Sequence, residues 1–218
     1  MFRKLMLAIA AVALSAATVQ ASDIYTPDNA YQDTGTTHAF AGLSVGIHGG
    51  GQFVAIELDH DGNDFDGISS DGLVGGAHAE YLFSAGRFRV GPYVEGGFSD
   101  VSTRINGGPF NDADVLAQDH YYSGGVKIGL MVSSQTMAYG RAGYEWSQWS
   151  SDLFDGNADV EAYLLGGGIE TMVAEQVSLG VGVDYLTLSS AEYDGTDITA
   201  FVDDTESVRA LLRLNWRP

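Results

Sequence analysis

Residues 72–99 read GLVGGAHAEYLFSAGRFRVGPYVEGGFS, two alternating runs joined by a tight turn at Ser84-Ala85-Gly86-Arg87. In the first run Leu73, Gly75, Ala77, Ala79, Tyr81 and Phe83 share one parity, and Val74, Gly76, His78, Glu80 and Leu82 the other. In the second, Phe88, Val90, Pro92, Val94, Gly96 and Phe98 oppose Arg89, Gly91, Tyr93, Glu95 and Gly97. Strand side chains alternate between faces, so each run has an apolar face and a face that carries charge.

The pattern recurs along the chain. Upstream, Ala41, Leu43, Val45 and Ile47 oppose Gly42, Ser44, Gly46 and His48 in a strand that starts at about Phe40. Downstream, Tyr122 to Val132 alternates around Lys127, and Ala138 to Trp146 around Tyr139, Arg141 and Glu145. Tyr163 to Val173 alternates around Glu170, Val177 to Tyr185 around Asp184, and Val208 to Trp216 around Arg209 and Arg213. Short turns (Ser84 to Arg87, Ser133 to Met137, Ala174 to Gln176) alternate with long loops at Glu57–Asp71, Ser99–Asp119, Ser147–Glu161 and Ser189–Glu206. Eight strands of about 10 dyad residues, each long enough to cross a bilayer when tilted, predict an all-β, eight-stranded antiparallel up-and-down transmembrane barrel. Only helices and closed barrels satisfy their backbone groups in lipid.

The faces can be oriented from their charges. Glu80, Glu95, Glu145, Glu170 and Asp184 lie on the polar parity with Arg89, Lys127, Arg141, Arg209 and Arg213, one cation for each anion. The apolar parity carries no charge within its span. A soluble barrel such as a lipocalin has an apolar inside and a polar outside. A lipid-facing surface needs freedom from charge, because Arg or Lys at the midplane costs about 2–4 kcal/mol. The apolar face therefore looks outward. Its aromatics fall in two bands, Tyr81, Phe83, Phe88 and Trp216 at the short-turn end, and Phe98, Tyr122, Tyr144, Trp146, Tyr163 and Tyr185 at the other.

Eight strands leave a lumen filled by side chains, so the ten inward charges are expected to form a structural ion-pair network. Counted from the short turns, Glu80, Arg141, Glu170 and Arg213 make a lower tier and Glu95, Glu145, Asp184 and Arg209 an upper one. Lys127 falls between them and Arg89 at the base. His78 joins the network as a lumen residue. A narrow low-conductance pore is the alternative, and an outer-membrane lipid-modifying enzyme a more distant one, since no Ser–His–acid spacing is legible. Gly49-Gly50-Gly51 lacks the Lys-Ser/Thr of a phosphate loop and reads as a site of bending or close strand packing. No catalytic residue and no cofactor is expected.

Met1 to Ala21 reads as a secretory signal peptide, with Arg3 and Lys4 before an apolar run and Val19-Gln20-Ala21 as the cleavage site. Residues 22–37 are polar and aperiodic, a flexible extension, and 38–218 form the barrel. The 218-residue chain has no Cys, 29 Gly and a formal net charge of −19. That charge excludes nucleic acid as a partner. Twenty of the 29 acidic residues lie in the four long loops, whose only cation is Arg104. Within them Asp59, Asp61 and Asn63 are weak calcium candidates: Asp64 stands where a calcium loop needs Gly, and Ser70 where it needs Glu. Binding no tighter than about 10⁻⁴–10⁻³ M is expected.

The Tyr-Gly-Arg-Ala-Gly-Tyr segment at 139–144, the run Gly166-Gly167-Gly168-Ile169-Glu170 and the alternating last strand resemble the OmpA-like, porin-family eight-stranded outer-membrane β-barrels, the opacity-protein-like surface antigens of Gram-negative bacteria. The family's chains usually end in an aromatic residue read by the barrel-assembly machinery. Here Trp216 is followed by Arg217 and Pro218. The resemblance implies outer-membrane residence with long loops extracellular and short turns periplasmic. It also implies contact with membrane lipid and lipopolysaccharide, a structural or surface-interaction role and no cofactor. Divalent cations at the acidic loops are the remaining expected partner.

Overall fold

The computed structural model describes residues 39–60, 63–105, 113–150, 157–199 and 205–218, with side chains described outside 56–69 and 103–116. The signal peptide and the extension at 22–37 lie outside these residues, as does Asp61; of Asp59 and Asn63 only the backbone is described.

The strands in chain order are β1 (Gly42–His60), β2 (Asn63–Ala85), β3 (Phe88–Ile105), β4 (Ala113–Met131), β5 (Thr136–Ser150), β6 (Asn157–Ala174), β7 (Val177–Tyr193), the two-residue β8 (Thr196–Asp197) and β9 (Glu206–Trp216). Each barrel strand pairs antiparallel with the one before it. The sheet closes where β9 pairs with β1, Trp216 opposite Val45 and Glu206 opposite Ala55. On its other side β9 pairs with β7, Trp216 opposite Val177. The eight long strands form a closed up-and-down antiparallel barrel. Glycine makes the seam possible at Gly50, where a Cβ would lie 1.8 Å from the carbonyl oxygen of Ala210.

The outward parity is apolar and open. Ile47, Leu73, Val94, Phe98, Ile128, Leu165, Val181 and Leu212 are all more than half exposed. Tyr81 stacks near Phe83 at one end (4.9 Å), and Tyr144 meets Trp146 (5.0 Å) and Tyr163 (5.3 Å) at the other, so both aromatic bands have neighbouring members in contact. Val208 shares the outward parity yet is buried; its register partners on the two flanks are Phe53 and Tyr185. The inward parity is buried and charged. This inverted polarity, with an uncharged apolar girdle outside and ionised side chains within, defines a barrel of the outer-membrane type.

Two expectations need correction. The strand expected from about Phe40 begins at Gly42; Phe40 instead has φ of 65° and turns into the barrel base. A bulky side chain rarely takes that conformation, which costs on the order of 1–3 kcal/mol. Burial offsets it: Phe40 is 1% exposed, packed with Leu82, Met131, Met137 and Tyr139. The four long loops are also shorter than expected, because the ladders continue into them. Leu58 pairs with Phe65, Arg104 with Asp114 and Gln148 with Asp159, while Glu192 pairs with Asp197 on β8. Rich in Asp, Ser, Asn and Gly, these extensions lack the sustained alternation by which a half-buried strand is read, yet their backbone groups still pair. Beyond β8, Thr199 donates its N–H to Asp197 at 2.9 Å, and its hydroxyl and N–H hold that exposed carboxyl below the usual carboxylate range.

Candidate functional site: the charged lumen

Inside the barrel the charges fall into three groups, stacked from the short-turn end upward. In the lowest, Lys127 Nζ lies 2.8 Å from both Glu80 and Glu170. Arg217 reaches the same two carboxylates, at 3.1 Å and 2.8 Å. Ser178 and Asn215 donate to Glu170 at 2.6 and 2.8 Å. In the middle group Arg141 spans Glu95 (2.7 and 3.0 Å) and Asp184 (2.7 Å through Nε, with a second contact through Nη2). Arg213 adds a bond to Glu95 at 2.9 Å and lies 3.8 Å from Asp184. In the upper group Arg209 meets Glu145 in a two-point fork at 2.8 and 2.9 Å and donates through Nε to Gln52 at 2.9 Å.

Each group is neutral: two cations with two anions, two with two, and one with one. These residues are nearly all sealed from water, Arg209 at 0% and Glu170 at 1% exposure. Transfer of an unpaired charge to such a site is severely unfavourable, and pairing with multiple hydrogen bonds is what makes it tolerable. Every group also rests a cation on an inward aromatic ring. Arg217 lies over Phe40 at 4.9 Å, Lys127 over Tyr139 at 4.4 Å, Arg141 over Tyr93 at 4.9 Å and Arg209 over Tyr121 at 4.2 Å. Glycines opposite give these rings room. A Cβ would fall 2.8 Å from the Tyr121 hydroxyl at Gly97, and 2.5 Å from that of Tyr93 at Gly143 or Tyr139 at Gly182.

The grouping departs from the tiers counted along the strands. Arg141 and Arg213 serve Glu95 and Asp184, not Glu80 and Glu170, and Lys127 belongs to the lowest group. Tilt and stagger of the strands shift neighbours along the axis, so equal counts from the turns are not equal heights. The pairs also reach across the lumen. Lys127 and Arg141 are register partners of like charge, and each takes carboxylates from other strands. Arg89 turns to the base, where it donates to the carbonyls of Ala39, Gly86 and Phe88 at 2.8–2.9 Å.

Arg217 takes the fifth cation's place in the groups, and sequence reasoning missed it. It follows the last alternating residue, and only its even spacing from Arg213 and Asn215 hinted at an inward direction. His48 and His78 lie in the middle of the lumen, joined through their Nδ1 atoms at 3.3 Å. Above the charges, Val54, Val74, Val101, Tyr121, Trp149, Ala158 and Leu211 form one apolar cluster and Ala162, Leu164 and Leu186 another; below them sits the Phe40 cluster. Small spaces remain among the described residues, about 10 Å³ beside Lys127 and Arg141 and about 40 Å³ beside Trp149 and Gln118. Among the described residues no cluster of three His, Asp or Glu could hold a metal ion.

No family model and no curated protein sequence matches this chain. Solved structures do resemble it in strand architecture. The attachment invasion locus protein Ail of Yersinia pestis is 14% identical over 81% of this chain and 98% of its own, with a TM-score of 0.45. Neisserial surface protein A is 14% identical over 79% of this chain and 97% of its own, TM-score 0.43. The outer-membrane protease OmpT of Escherichia coli is 7% identical over 80% of this chain and 96% of its own, TM-score 0.36. Their names describe three different things, so the likeness assigns no ligand or activity to this chain.

Proposed function

We propose that this chain is an integral protein of the bacterial outer membrane with a sealed, ion-paired lumen and a structural or surface-interaction role. Its long-loop end faces the exterior and its short turns the periplasm. The observation that carries this reading is the neutrality of each lumen group beneath an uncharged apolar girdle. Charges matched group by group stabilise a closed interior, while an exposed apolar belt of this extent needs lipid around it. The partners follow from the surface: membrane lipid and lipopolysaccharide at the girdle, the barrel-assembly machinery during insertion, and divalent cations at the acidic loops.

Fractionation and electrophoresis test the residence. The protein should be extracted from membranes only by detergent and should migrate differently on gels before and after boiling. Recovery as a soluble periplasmic protein would refute it. Planar-bilayer recording tests the sealed lumen: no stable large currents are expected at neutral pH. The second reading is a narrow pore through the small space that Lys127 and Arg141 line. Small currents that change in Arg141→Ala would decide for it. Purified protein should leave labelled lipid A and phospholipid unchanged, and turnover abolished by His78→Ala would make it an enzyme.

A further inference from the structure

Between the upper and lowest charge groups runs a chain of four hydrogen bonds whose donor directions can be worked out. It starts at Glu170, a carboxylate that accepts from Asn215 Nδ2 at 2.8 Å. That bond orients the amide, so Asn215 Oδ1 faces His78 Nε2 and must accept from it. His78 therefore carries its proton on Nε2, and as a neutral ring it presents Nδ1 as an acceptor. His48 Nδ1, 3.3 Å away, must then be the donor, which leaves His48 Nε2 to accept from the Tyr121 hydroxyl at 2.5 Å. All donors point one way, Tyr121 to His48 to His78 to Asn215 to Glu170, and the two histidines hold opposite tautomers. Gly46 keeps the chain open: a Cβ there would lie 2.7 Å from His78 Nε2 and 2.6 Å from Asn215 Oδ1.

We propose that Tyr121, His48, His78 and Asn215 form a proton relay that binds one proton and reports it at the upper charge group, where Arg209 lies over the Tyr121 ring. A proton arriving at the Tyr121 oxygen releases the hydroxyl proton to His48 Nε2, and His48 passes its Nδ1 proton to His78 Nδ1. His78 ends as the imidazolium with both nitrogens donating, to His48 and to Asn215. His48 ends neutral with its proton on Nε2. One proton enters, none leaves, and no bond between heavy atoms changes. Burial and Arg213 oppose the charge on His78, while the Asn215 acceptor, Glu80 and Glu95 favour it; Glu95, Arg213 and Arg209 face His48. A second proton would set two N–H groups against each other across 3.3 Å, so the capacity is one. The report travels through Tyr121. Once His48 donates from Nε2, the Tyr121 oxygen must accept there and turn its own proton away, beside the Arg209 guanidinium that holds Glu145 and Gln52.

Nitrogen-15 NMR of histidine-labelled protein in lipid nanodiscs tests this, with His48→Gln and His78→Gln used for assignment. At about pH 8 the expected spectrum has His48 protonated on Nδ1 and His78 on Nε2. Stepwise acidification should make His78 the imidazolium and move the His48 proton to Nε2 in the same step. The same tautomer in both rings at high pH, or two imidazolium rings at low pH, would overturn the proposal. Tyr121→Phe keeps the ring under Arg209 and removes only the hydroxyl. In that variant His48 should stay on Nδ1, which His78 still requires, while its Nε2 resonance loses the shift of an accepted hydrogen bond. An unchanged His48 signal would show that the hydroxyl takes no part.

Discussion

Replacement of Arg141 by Met tests charge balance in the lumen most directly. Arg141 makes four contacts with two carboxylates, at 2.7, 2.7 and 3.0 Å plus the short Nη2–Asp184 bond, and its side chain is 3% exposed. Met has similar length and no charge. It leaves Glu95 and Asp184 with only Arg213, 2.9 Å from one and 3.8 Å from the other, so the middle group carries one uncompensated negative charge. Loss of one partner from a buried pair costs about 3–5 kcal/mol. With a urea slope of about 2 kcal/mol per molar, the unfolding midpoint should fall by about 2 M. The barrel can be titrated with urea in lipid vesicles, with tryptophan fluorescence as the signal. Adding Asp184→Asn restores one cation to one anion in that group and should recover at least half of the loss. Adding Glu80→Gln should recover none, because Glu80 belongs to Lys127 and Arg217. A loss below about 0.5 kcal/mol, the level of an ordinary surface change, or an equal rescue by Glu80→Gln, would refute the grouping.

Three further outcomes are expected. Phe40→Ala removes the ring that closes the base and should destabilise the barrel by about 3–5 kcal/mol in the same titration; it should also raise the bilayer conductance, and an unchanged conductance would show that the seal lies higher. Val181 is 57% exposed and lies between the two aromatic bands, so Val181→Arg should cost about 2–4 kcal/mol in lipid, whereas a water-facing site would tolerate it. Calorimetry with calcium should show binding no tighter than about 10⁻⁴ M, and micromolar binding lost in Asp59→Asn/Asp61→Asn would reveal a true site in the first loop.

The number of strands, their order and the side each residue faces were legible in the sequence. Alternation is local: Glu80 and Tyr81 must point to opposite faces whatever the rest of the chain does. The absence of charge on one parity then placed lipid on that side, and the match of charges on the other placed the lumen. Where polar residues crowd the sequence and sustained alternation breaks, as beyond Ile56 and Val101, the ladders that continue leave no such signal. Phe40 was read as strand because a positive φ leaves no mark in the sequence. Which charges meet was a matter for the tertiary structure alone. Arg209 finds Gln52 across 157 residues and Arg141 finds Asp184 across 43, distances over which no local period reaches. The stagger of eight tilted strands sets the height of each side chain, and with it the three neutral groups, the recruitment of Arg217 and the meeting of His48 with His78.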